Sequence, residues 1–223
     1  GLGHSPRIVT DGLVLCLDAA NKRSYPGTGT TWTDMKGGSN GTLVNGATFS
    51  SDNGGGIVFD GTDDSVTLFD LNTSLFSSGA SLFCFLKTYT SGANSGAKSG
   101  IFGFGNNMNS HYTWSDGKIY LDTFRPSRVG PITPSSVDRS NPHSLCITTK
   151  NSGQWKLYQN LNLVTSVAAS SYISINSSRL RIGWDDSASY IFQGTFYNFM
   201  LYNKELSAQE IRQNYEATKG RYE

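Results

Sequence analysis

The chain has 223 residues, a formal net charge of +1, 16% charged residues and 37% hydrophobic residues. Roughly two fifths of it is Gly, Ser, Thr or Asn, which excludes coiled coils and helical bundles, because both need dense Ala, Glu, Lys and Leu. The 12% aromatic content supplies a sizeable core and excludes a disordered chain. Nucleic-acid binding has no electrostatic support without a Lys/Arg cluster, and no apolar run is long enough to span a membrane.

Short apolar or alternating runs recur at roughly ten-residue spacing, separated by Gly, Asn and Ser. In chain order, the predicted strands are Leu13–Asp18, Ile57–Asp60, Ser65–Phe69, Ser81–Tyr89, Gly100–Phe104, Lys118–Thr123, Ser144–Thr149, Gln154–Gln159, Leu161–Ala168, Arg179–Trp184 and Gln193–Asn203. Helical periodicity is absent until the end of the chain, so parallel βαβ units are not expected. The pattern predicts one all-β domain over residues 11–223, an antiparallel sandwich.

The two ends of the chain depart from this pattern. Gly1–Thr10 is predicted to be an N-terminal arm that adds little to a core, because it has few apolar residues. An extended arm of this kind suits contact with a neighbouring subunit or a carrier protein; the alternative is a frayed terminus. Near the C-terminus, Ser207 followed by Glu210 forms a capping box, which predicts one short helix over about residues 207–216.

Three polar segments are predicted to be long loops, namely Thr90–Ser99, Asn106–Asp116 and Arg125–Pro142. Loops of this length in a compact domain commonly carry function or are mobile. The last of them contains four of the six prolines of the chain.

Three cysteines, Cys16, Cys84 and Cys146, each lie within an apolar, strand-like run. Their odd number and the absence of C-x-x-C spacing argue against a disulfide framework or a zinc site. We expect three buried, reduced thiols that act as small apolar residues. Reduced thiols indicate folding in a reducing cytoplasm.

Two series of motifs, one at each end of the chain, resemble a known family. They are Gly12–Ala19, Trp32-Thr-Asp34, Gly41-Thr-Leu43 and Ile57–Gly61, then Gly194–Tyr202 and Glu205–Ile211. In this order they resemble the laminin-G-like, concanavalin A-like jelly-roll domains, most of all those of tailed-phage structural proteins of the cyanophage type. The resemblance implies an antiparallel jelly-roll β-sandwich with one short C-terminal helix. It also implies that the first and last strands run side by side, so that the arm leaves near Asn203–Glu223.

One turn departs from the family pattern. The hairpin after Gln154–Tyr158 usually turns on Asn-Gly in the family, whereas this chain has Asn160-Leu161. Leu is a poor residue for the positive φ that a two-residue primed turn requires.

Catalytic residues are not expected. Hydrolases of the superfamily carry two glutamates and an aspartate on one strand, but the glutamates of this chain are Glu205, Glu210, Glu216 and Glu223, all near its end. Its adjacent aspartates, Asp63-Asp64 and Asp185-Asp186, would face opposite sides of a strand. No G-x-S-x-G elbow surrounds any serine.

The resemblance to calcium-dependent relatives such as the pentraxins implies a calcium site. In those relatives the ligands follow the strands that correspond to Gly100–Phe104 and Arg179–Gly183. The equivalent positions hold Asn106 and Asn107, and Asp185 and Asp186, whose oxygens suit calcium. The alternative is that the asparagines shape a turn and the aspartates are solvated.

Aromatic residues in the same polar segments predict a ligand-binding site. Tyr112 and Trp114 lie in the second long loop, and Trp184 and Tyr190 flank the Asp185-Asp186 pair. In a pentraxin-like layout the two segments meet at one edge of the sandwich. Sugars stack on aromatic faces, so these four residues are predicted to bind a glycan; the alternative is that their rings complete the rim of the core.

Four aspartates belong to the family motifs and are predicted to have a structural role. Asp18, Asp34, Asp60 and Asp63 lie in or beside turns, where a carboxylate accepts local backbone N–H bonds. Trp32 is expected to pack beside Asp34.

The leading functional hypothesis is a non-enzymatic virion structural protein, a fibre or spike module or a capsid decoration. Its expected partners are other virion proteins, further copies of itself and host cell-surface polysaccharide, with assembly in the cytoplasm of a bacterial host. The alternative is a free-standing or enzyme-appended carbohydrate-binding lectin module. A third reading is a polysaccharide-cleaving enzyme with an unusual site.

Overall fold

The computed structural model describes residues 6–89, 100–105, 109–121, 129–136, 138–168, 173, 175, 177–184 and 190–222. The strands in this part of the chain are β1 (Leu13–Asp18), β2 (Thr31–Trp32), β3 (Gly41–Val44), β4 (Thr48–Ser50), β5 (Gly56–Asp60), β6 (Ser65–Leu68), β7 (Gly79–Thr88), β8 (Gly100–Phe104), β9 (Asn109–His111), β10 (Ile119–Leu121), β11 (Val129–Ile132), β12 (His143–Lys150), β13 (Gln154–Gln159), β14 (Asn162–Ala168), β15 (Leu180–Ile182) and β16 (Gln193–Tyr202). They are followed by one α-helix, α1 (Ala208–Thr218).

The strands form two antiparallel sheets. Sheet A has the order β14-β13-β12-β7-β16-β5-β4, and β1 also pairs with β16. Sheet B has the order β11-β10-β9-β8-β15-β6-β3-β2. Strand neighbours that are distant in the chain, such as β7 beside β16, are the mark of a jelly roll rather than a simple meander. The predicted all-β sandwich is confirmed, and the first and last strands do run side by side, with Cys16 opposite Met200.

The main core lies between the sheets. The fully buried aromatic side chains of Phe102 from sheet B and Phe199 from sheet A meet edge to face, with ring centroids 5.7 Å apart. Trp32 and Trp155 are also fully buried in this layer, so the structural role predicted for Trp32 is confirmed. Edge-to-face pairs add to the stability gained from burial alone.

A second apolar layer covers the outer face of sheet A. The alternation along β7 sends Leu82 and Cys84 to the main core and Phe83 and Phe85 to the opposite side. There they pack in one cluster with Ile211 of α1. Sheet A is therefore apolar on both faces, which is why β7 is buried over nearly its whole length.

The C-terminal helix follows its sequence signal. Ser207 accepts a hydrogen bond from the backbone N–H of Glu210, and the Glu210 carboxylate accepts one from the backbone N–H of Ser207, which completes the capping box. The helix extends to Thr218, two residues past the predicted end, and passes into a 3₁₀ turn, Lys219–Arg221. No helix in the described residues is long and apolar enough to cross a membrane.

The inner half of the N-terminal arm packs beside this helix. Val9 is only 5% exposed. Its N–H donates to Oδ1 of Asn214 (2.8 Å), and its carbonyl accepts from the hydroxyl of Tyr202 (3.0 Å). The arm thus lies near the C-terminal segment as expected, but Val9 belongs to the folded unit, because its side chain is buried and two hydrogen bonds hold its backbone. Gly1–Ser5 lie outside the described residues.

Five strands lack a strong sequence signal. β2, β3, β4, β9 and β11 have two to four residues each, too few for alternation to stand out. The predicted loops Asn106–Asp116 and Arg125–Pro142 are wrong where they contain β9 and β11. Pro131 is tolerated in β11 because this strand lies at the edge of sheet B.

The turn Asn160-Leu161 keeps the primed conformation despite its sequence. Asn160 has φ 43° and Leu161 has φ 68°, both in the left-handed region. Leu161 packs partly buried against the outer cluster of sheet A. Its apolar contact therefore offsets a backbone conformation that leucine rarely adopts.

Candidate functional site

Two of the predicted ligand-binding residues, one from each polar segment, meet beside the end of β9 in sheet B. His111 ends β9, and its position in the sheet lies between Gly100 of β8 and Tyr120 of β10. Trp114 follows three residues later, and Tyr190 comes from the segment between β15 and β16. These two segments are far apart in the sequence, and the structure brings their rings together.

The rings of His111, Trp114 and Tyr190 form what we call the aromatic cluster. The centroids are 4.8 Å apart for His111 and Trp114, 5.0 Å for His111 and Tyr190, and 4.9 Å for Trp114 and Tyr190. All three pairs are edge to face, the arrangement that aromatic quadrupoles favour. His111 is buried at the base, whereas Trp114 and Tyr190 are half-buried and remain partly accessible at the surface.

A tight turn between β9 and β10 positions Trp114. The N–H of Trp114 donates to the carbonyl of Lys118 (2.8 Å), and the N–H of Gly117 donates to the carbonyl of Trp114 (2.9 Å). Asp116 accepts from the backbone N–H of Lys118 (2.9 Å) and from the hydroxyl of Tyr120 (2.6 Å). These hydrogen bonds, that from Tyr120 most of all, lower the pKa of Asp116, which therefore carries its charge beside the cluster.

The segment that carries Tyr190 is fixed at its base. Trp184 and Ile191 form an isolated antiparallel bridge, and the N–H of Phe192 donates to the carbonyl of Gly183 (2.8 Å). Trp184 is half-buried, and the guanidinium of Arg181 lies over its ring at 5.0 Å. The bridge fixes Ile191, the residue directly after Tyr190, against Trp184.

Tyr112, the fourth predicted ligand-binding residue, lies in the interior. Its side chain is fully buried, so it offers no ring face to a ligand. Its hydroxyl is 2.7 Å from Nε2 of His143 and also bonds the amide nitrogen of Gln159. His143 and Gln159 belong to sheet A, whereas Tyr112 follows β9 of sheet B. Tyr112 thus ties the two sheets together directly beside the aromatic cluster.

The carbonyl of Asn141 and the amide of Gln159, at the two ends of this network, determine which group donates each hydrogen bond. Nδ1 of His143 lies 2.9 Å from the carbonyl of Asn141, which can only accept, so Nδ1 carries the proton and Nε2 accepts from the Tyr112 hydroxyl. That hydroxyl in turn accepts from the amide of Gln159. Burial lowers the pKa of His143 to about 4, so the ring is neutral near pH 7.

The residues predicted to bind calcium, Asn106, Asn107, Asp185 and Asp186, lie outside the described residues. Within them, three carboxylates, Asp60, Asp63 and Asp64, have ligand oxygens within 4.8 Å of one another. Asp64 accepts the N–H of Asp60 (2.8 Å), and Asp60 accepts the N–H of Thr62 (2.7 Å). These bonds give two of the carboxylates a role in closing the β5–β6 turn.

The predicted turn role of the motif aspartates is clearest for Asp34. Its carboxylate accepts four backbone N–H bonds, including those of Cys16 (2.9 Å) and Gly38 (2.8 Å). Asp18 accepts the N–H of Ala20 (3.1 Å) and pairs with Arg221 near the end of the chain. Both groups hold loops to the sandwich, as expected for a structural aspartate.

His111 and His143 were not predicted from the sequence to belong to the site. In the structure, His111 is the base of the aromatic cluster and His143 is the buried partner of Tyr112. The signal for His111 is its place one residue before Tyr112: in a strand, neighbouring side chains point to opposite faces. Reading the segment as a loop concealed that alternation.

A model of one protein family matches residues 59–212, more than half of the chain. The chain belongs to the concanavalin A-like lectin/glucanase superfamily. A search of curated protein sequences gives no significant match. The tailed-phage proteins of the sequence resemblance thus remain an expectation, while the superfamily is established.

Solved structures share this superfamily fold at low sequence identity. The receptor-binding domain of botulinum neurotoxin C/D mosaic serotype is 16% identical with a TM-score of 0.71, over 94% of this chain and 52% of that one. Domain 4 of the extracellular arabinanase AbnA from Geobacillus stearothermophilus, in complex with arabinotriose, is 15% identical with a TM-score of 0.68, over 92% and 98%. Trypanosoma rangeli sialidase is 15% identical with a TM-score of 0.69, over 95% and 34%.

These similarities establish the fold alone. The chain spans about half the length of the toxin receptor-binding domain and about a third of the sialidase, whereas it corresponds to nearly the whole arabinanase domain. A domain with this fold thus occurs as one part of larger proteins.

Proposed function

We propose that this superfamily member is a non-enzymatic, lectin-like carbohydrate-binding module, and that the aromatic cluster is its sugar-binding surface. The observation that carries the proposal is the meeting of Trp114 and Tyr190, which come from distant segments and are both partly accessible. Sugar rings bind proteins by stacking their C–H faces on aromatic rings, while nearby polar groups bond the hydroxyls.

The cluster is built to hold its geometry before a ligand arrives. His111 supports both accessible rings from below, and the Tyr112 network holds the end of β9 against sheet A. Rings fixed in this way lose little conformational freedom on binding, which lowers the entropic cost of association. The charged carboxylate of Asp116 lies in the same turn as Trp114 and can accept a bond from a sugar hydroxyl.

The similar structures support a binding role. One is described as a receptor-binding domain and another as an arabinanase domain in complex with arabinotriose. Retaining and inverting glycosidases need a pair of carboxyl groups across the scissile bond. The body of this chain has no glutamate before Glu205, and Glu205 itself is paired with Lys150 and Lys156.

A glycan array followed by calorimetry on the best ligand tests the proposal. Trp114→Ala should weaken binding by at least about tenfold, because the stacking face is lost. Phe69→Ala is the matched control. Phe69 is 60% exposed and directly follows β6, away from the aromatic cluster, so the loss of its ring should leave the affinity for the glycan unchanged. Absence of binding to every glycan at millimolar concentration, or unchanged affinity of Trp114→Ala, would refute the assignment.

We further propose that the module is a component of a virion, because the sequence resembles tailed-phage structural proteins. In that setting the domain is a fibre, spike or capsid decoration that binds host cell-surface polysaccharide beside other virion proteins. Mass spectrometry of virus particles purified from the cells that produce this protein tests it, and we expect the protein among the components of the particle. A protein that is secreted alone and absent from particles supports the free-standing lectin instead.

A further inference from the structure

The sheet edges of this sandwich are not equally protected against pairing with another chain. Among the strands the structure describes, β4 and β2 end the two sheets with only three and two residues. The edge strand β11 contains Pro131, which has no N–H to donate. Short length and proline are common means of preventing edge-to-edge association. The free side of β1 is covered, because the N–H groups of Cys16 and Asp18 donate to the side chains of Asp34 and Ser24, and the Cys16 carbonyl accepts from the N–H of Met35. The remaining edge among the described strands, β14, has none of these protections.

Strand β14 is seven residues long and exposed along most of its length. Its sequence, Asn-Leu-Val-Thr-Ser-Val-Ala, is typical of a strand and carries no charge. Leu163 is 52% exposed and Val167 is 40% exposed. The uncharged stretch extends over the whole of residues 157–178, so a second copy would meet this edge without like-charge repulsion.

The two ends of β14 differ in regularity. Leu157 pairs with Thr165 and Tyr158 pairs with Leu163, so Val164 is the extra residue of a β-bulge. From Thr165 to Ala168 the pairing with β13 is regular. Val167 lies opposite Trp155, which is fully buried in the main core, so Val167 is at the rim of the apolar interior.

A groove lined mainly by apolar residues, with Gln209 and Arg212 of α1, adjoins the same edge on the outer face of sheet A. Tyr158, which pairs with Leu163, lines it together with Leu161 and Ile211. A chain that pairs with β14 can thus bury apolar surface on both faces of the sheet. Backbone hydrogen bonds alone give little net affinity, and the adjoining apolar surface supplies the larger part.

We propose that two copies of this chain pair through β14, strand against strand, and form a symmetric dimer with one continuous sheet. A two-fold axis necessarily sets the same strand antiparallel to itself, which is the orientation that sheet A already uses. A second copy fits better than a charged partner, because its edge is equally uncharged and equally long. The pairing brings Val167 of each copy to the dimer contact and extends the apolar interior across it.

Sedimentation velocity between about 1 and 200 µM tests the proposal, since dimerisation depends on concentration. The wild-type chain of 24.2 kDa should shift to twice that mass as concentration rises. Val167→Lys should raise the dimer dissociation constant by at least about tenfold, because the dimer brings two like charges together. Leu75→Lys is the matched control. Leu75 is 41% exposed but lies in a 3₁₀ helix, so this variant should have the same dimer dissociation constant as the wild type.

Hydrogen exchange locates the contact independently of any substitution. Backbone amides of residues 165–168 should exchange more slowly at high protein concentration, while those of the short edge β2 should not change. Melting temperatures of both variants confirm that each is folded. A wild type that stays monomeric, a dimer unaffected by Val167→Lys, or protection confined to another surface would overturn the proposal. Glycan binding is measured separately, and its outcome does not bear on the dimer.

Discussion

Acid should destabilise this protein through one buried histidine. Burial lowers the pKa of His143 to about 4, against 6.5 for an ordinary histidine. The unfolded chain therefore takes up a proton near pH 6.5, and the folded chain only near pH 4. Between these values the unfolded state binds more protons, so stability is full above pH 6.5 and is lost as the pH falls toward 4. A proton on Nε2 also ends its ability to accept from Tyr112.

The size of the effect follows from the difference between the two pKa values. Linkage gives a loss of about 2 kcal/mol in the free energy of unfolding between pH 7 and pH 5. That is a substantial part of the stability of a typical domain, about 5–15 kcal/mol. Glu205 and Glu210, whose pKa values are lowered by their lysine partners against the effect of burial, therefore add little in this window.

Urea unfolding at pH 7, 6 and 5 measures the effect, with His143→Gln as the variant. The variant is less stable at pH 7, because it loses the bond that Tyr112 donates, but it has no ring to protonate. Its free energy of unfolding should change by about 2 kcal/mol less than that of the wild type over this range. Equal pH dependence in the two proteins would refute the reasoning, as would a wild type whose stability does not fall between pH 7 and pH 5.

Four further outcomes are expected. The three buried cysteines should react with Ellman's reagent at least about a hundredfold more slowly in the folded protein than in guanidinium, because burial raises their pKa values; a disulfide in the intact mass would contradict this. Gly183→Ala should cost about 3 kcal/mol or more by urea unfolding, because φ is +80° and a Cβ would lie 2.3 Å from the Phe59 ring. Asn160→Ala should cost about 2 kcal/mol by the same assay, through its left-handed φ and the bond it accepts from Ser144 (2.9 Å). Removing Gly1–Ser5 should leave the melting temperature unchanged, whereas removal through Val9 should lower it by several degrees.

The fold could be predicted from the sequence because the patterns that indicate strands and helix ends are local. Alternation along Ser81–Tyr89 and the capping box at Ser207 and Glu210 each depend on neighbours within a few residues, and both appear in the structure as expected. The buried, unpaired cysteines and the turn role of Asp34 also followed from local context. These features need no knowledge of what packs against them.

Only part of the candidate site could be predicted from the sequence. Trp114 and Tyr190 were predicted to meet, and their rings are 4.9 Å apart. Tyr112 could not be separated from them, because one residue of register in β9 decides whether a ring faces the core or the surface. The histidine that supports the cluster, His111, was hidden for the same reason.

The sequence by itself determined that this chain folds as an antiparallel sandwich with one capped helix, because periodicity and caps act within a few residues. Only the tertiary structure decided that Tyr112 reaches His143 across the two sheets, that Val9 is buried against the C-terminal segment, and that β14 ends sheet A among the strands the structure describes. Each of these depends on residues far apart in the chain, and pairing over such separations is set by how whole sheets pack, which no local pattern encodes.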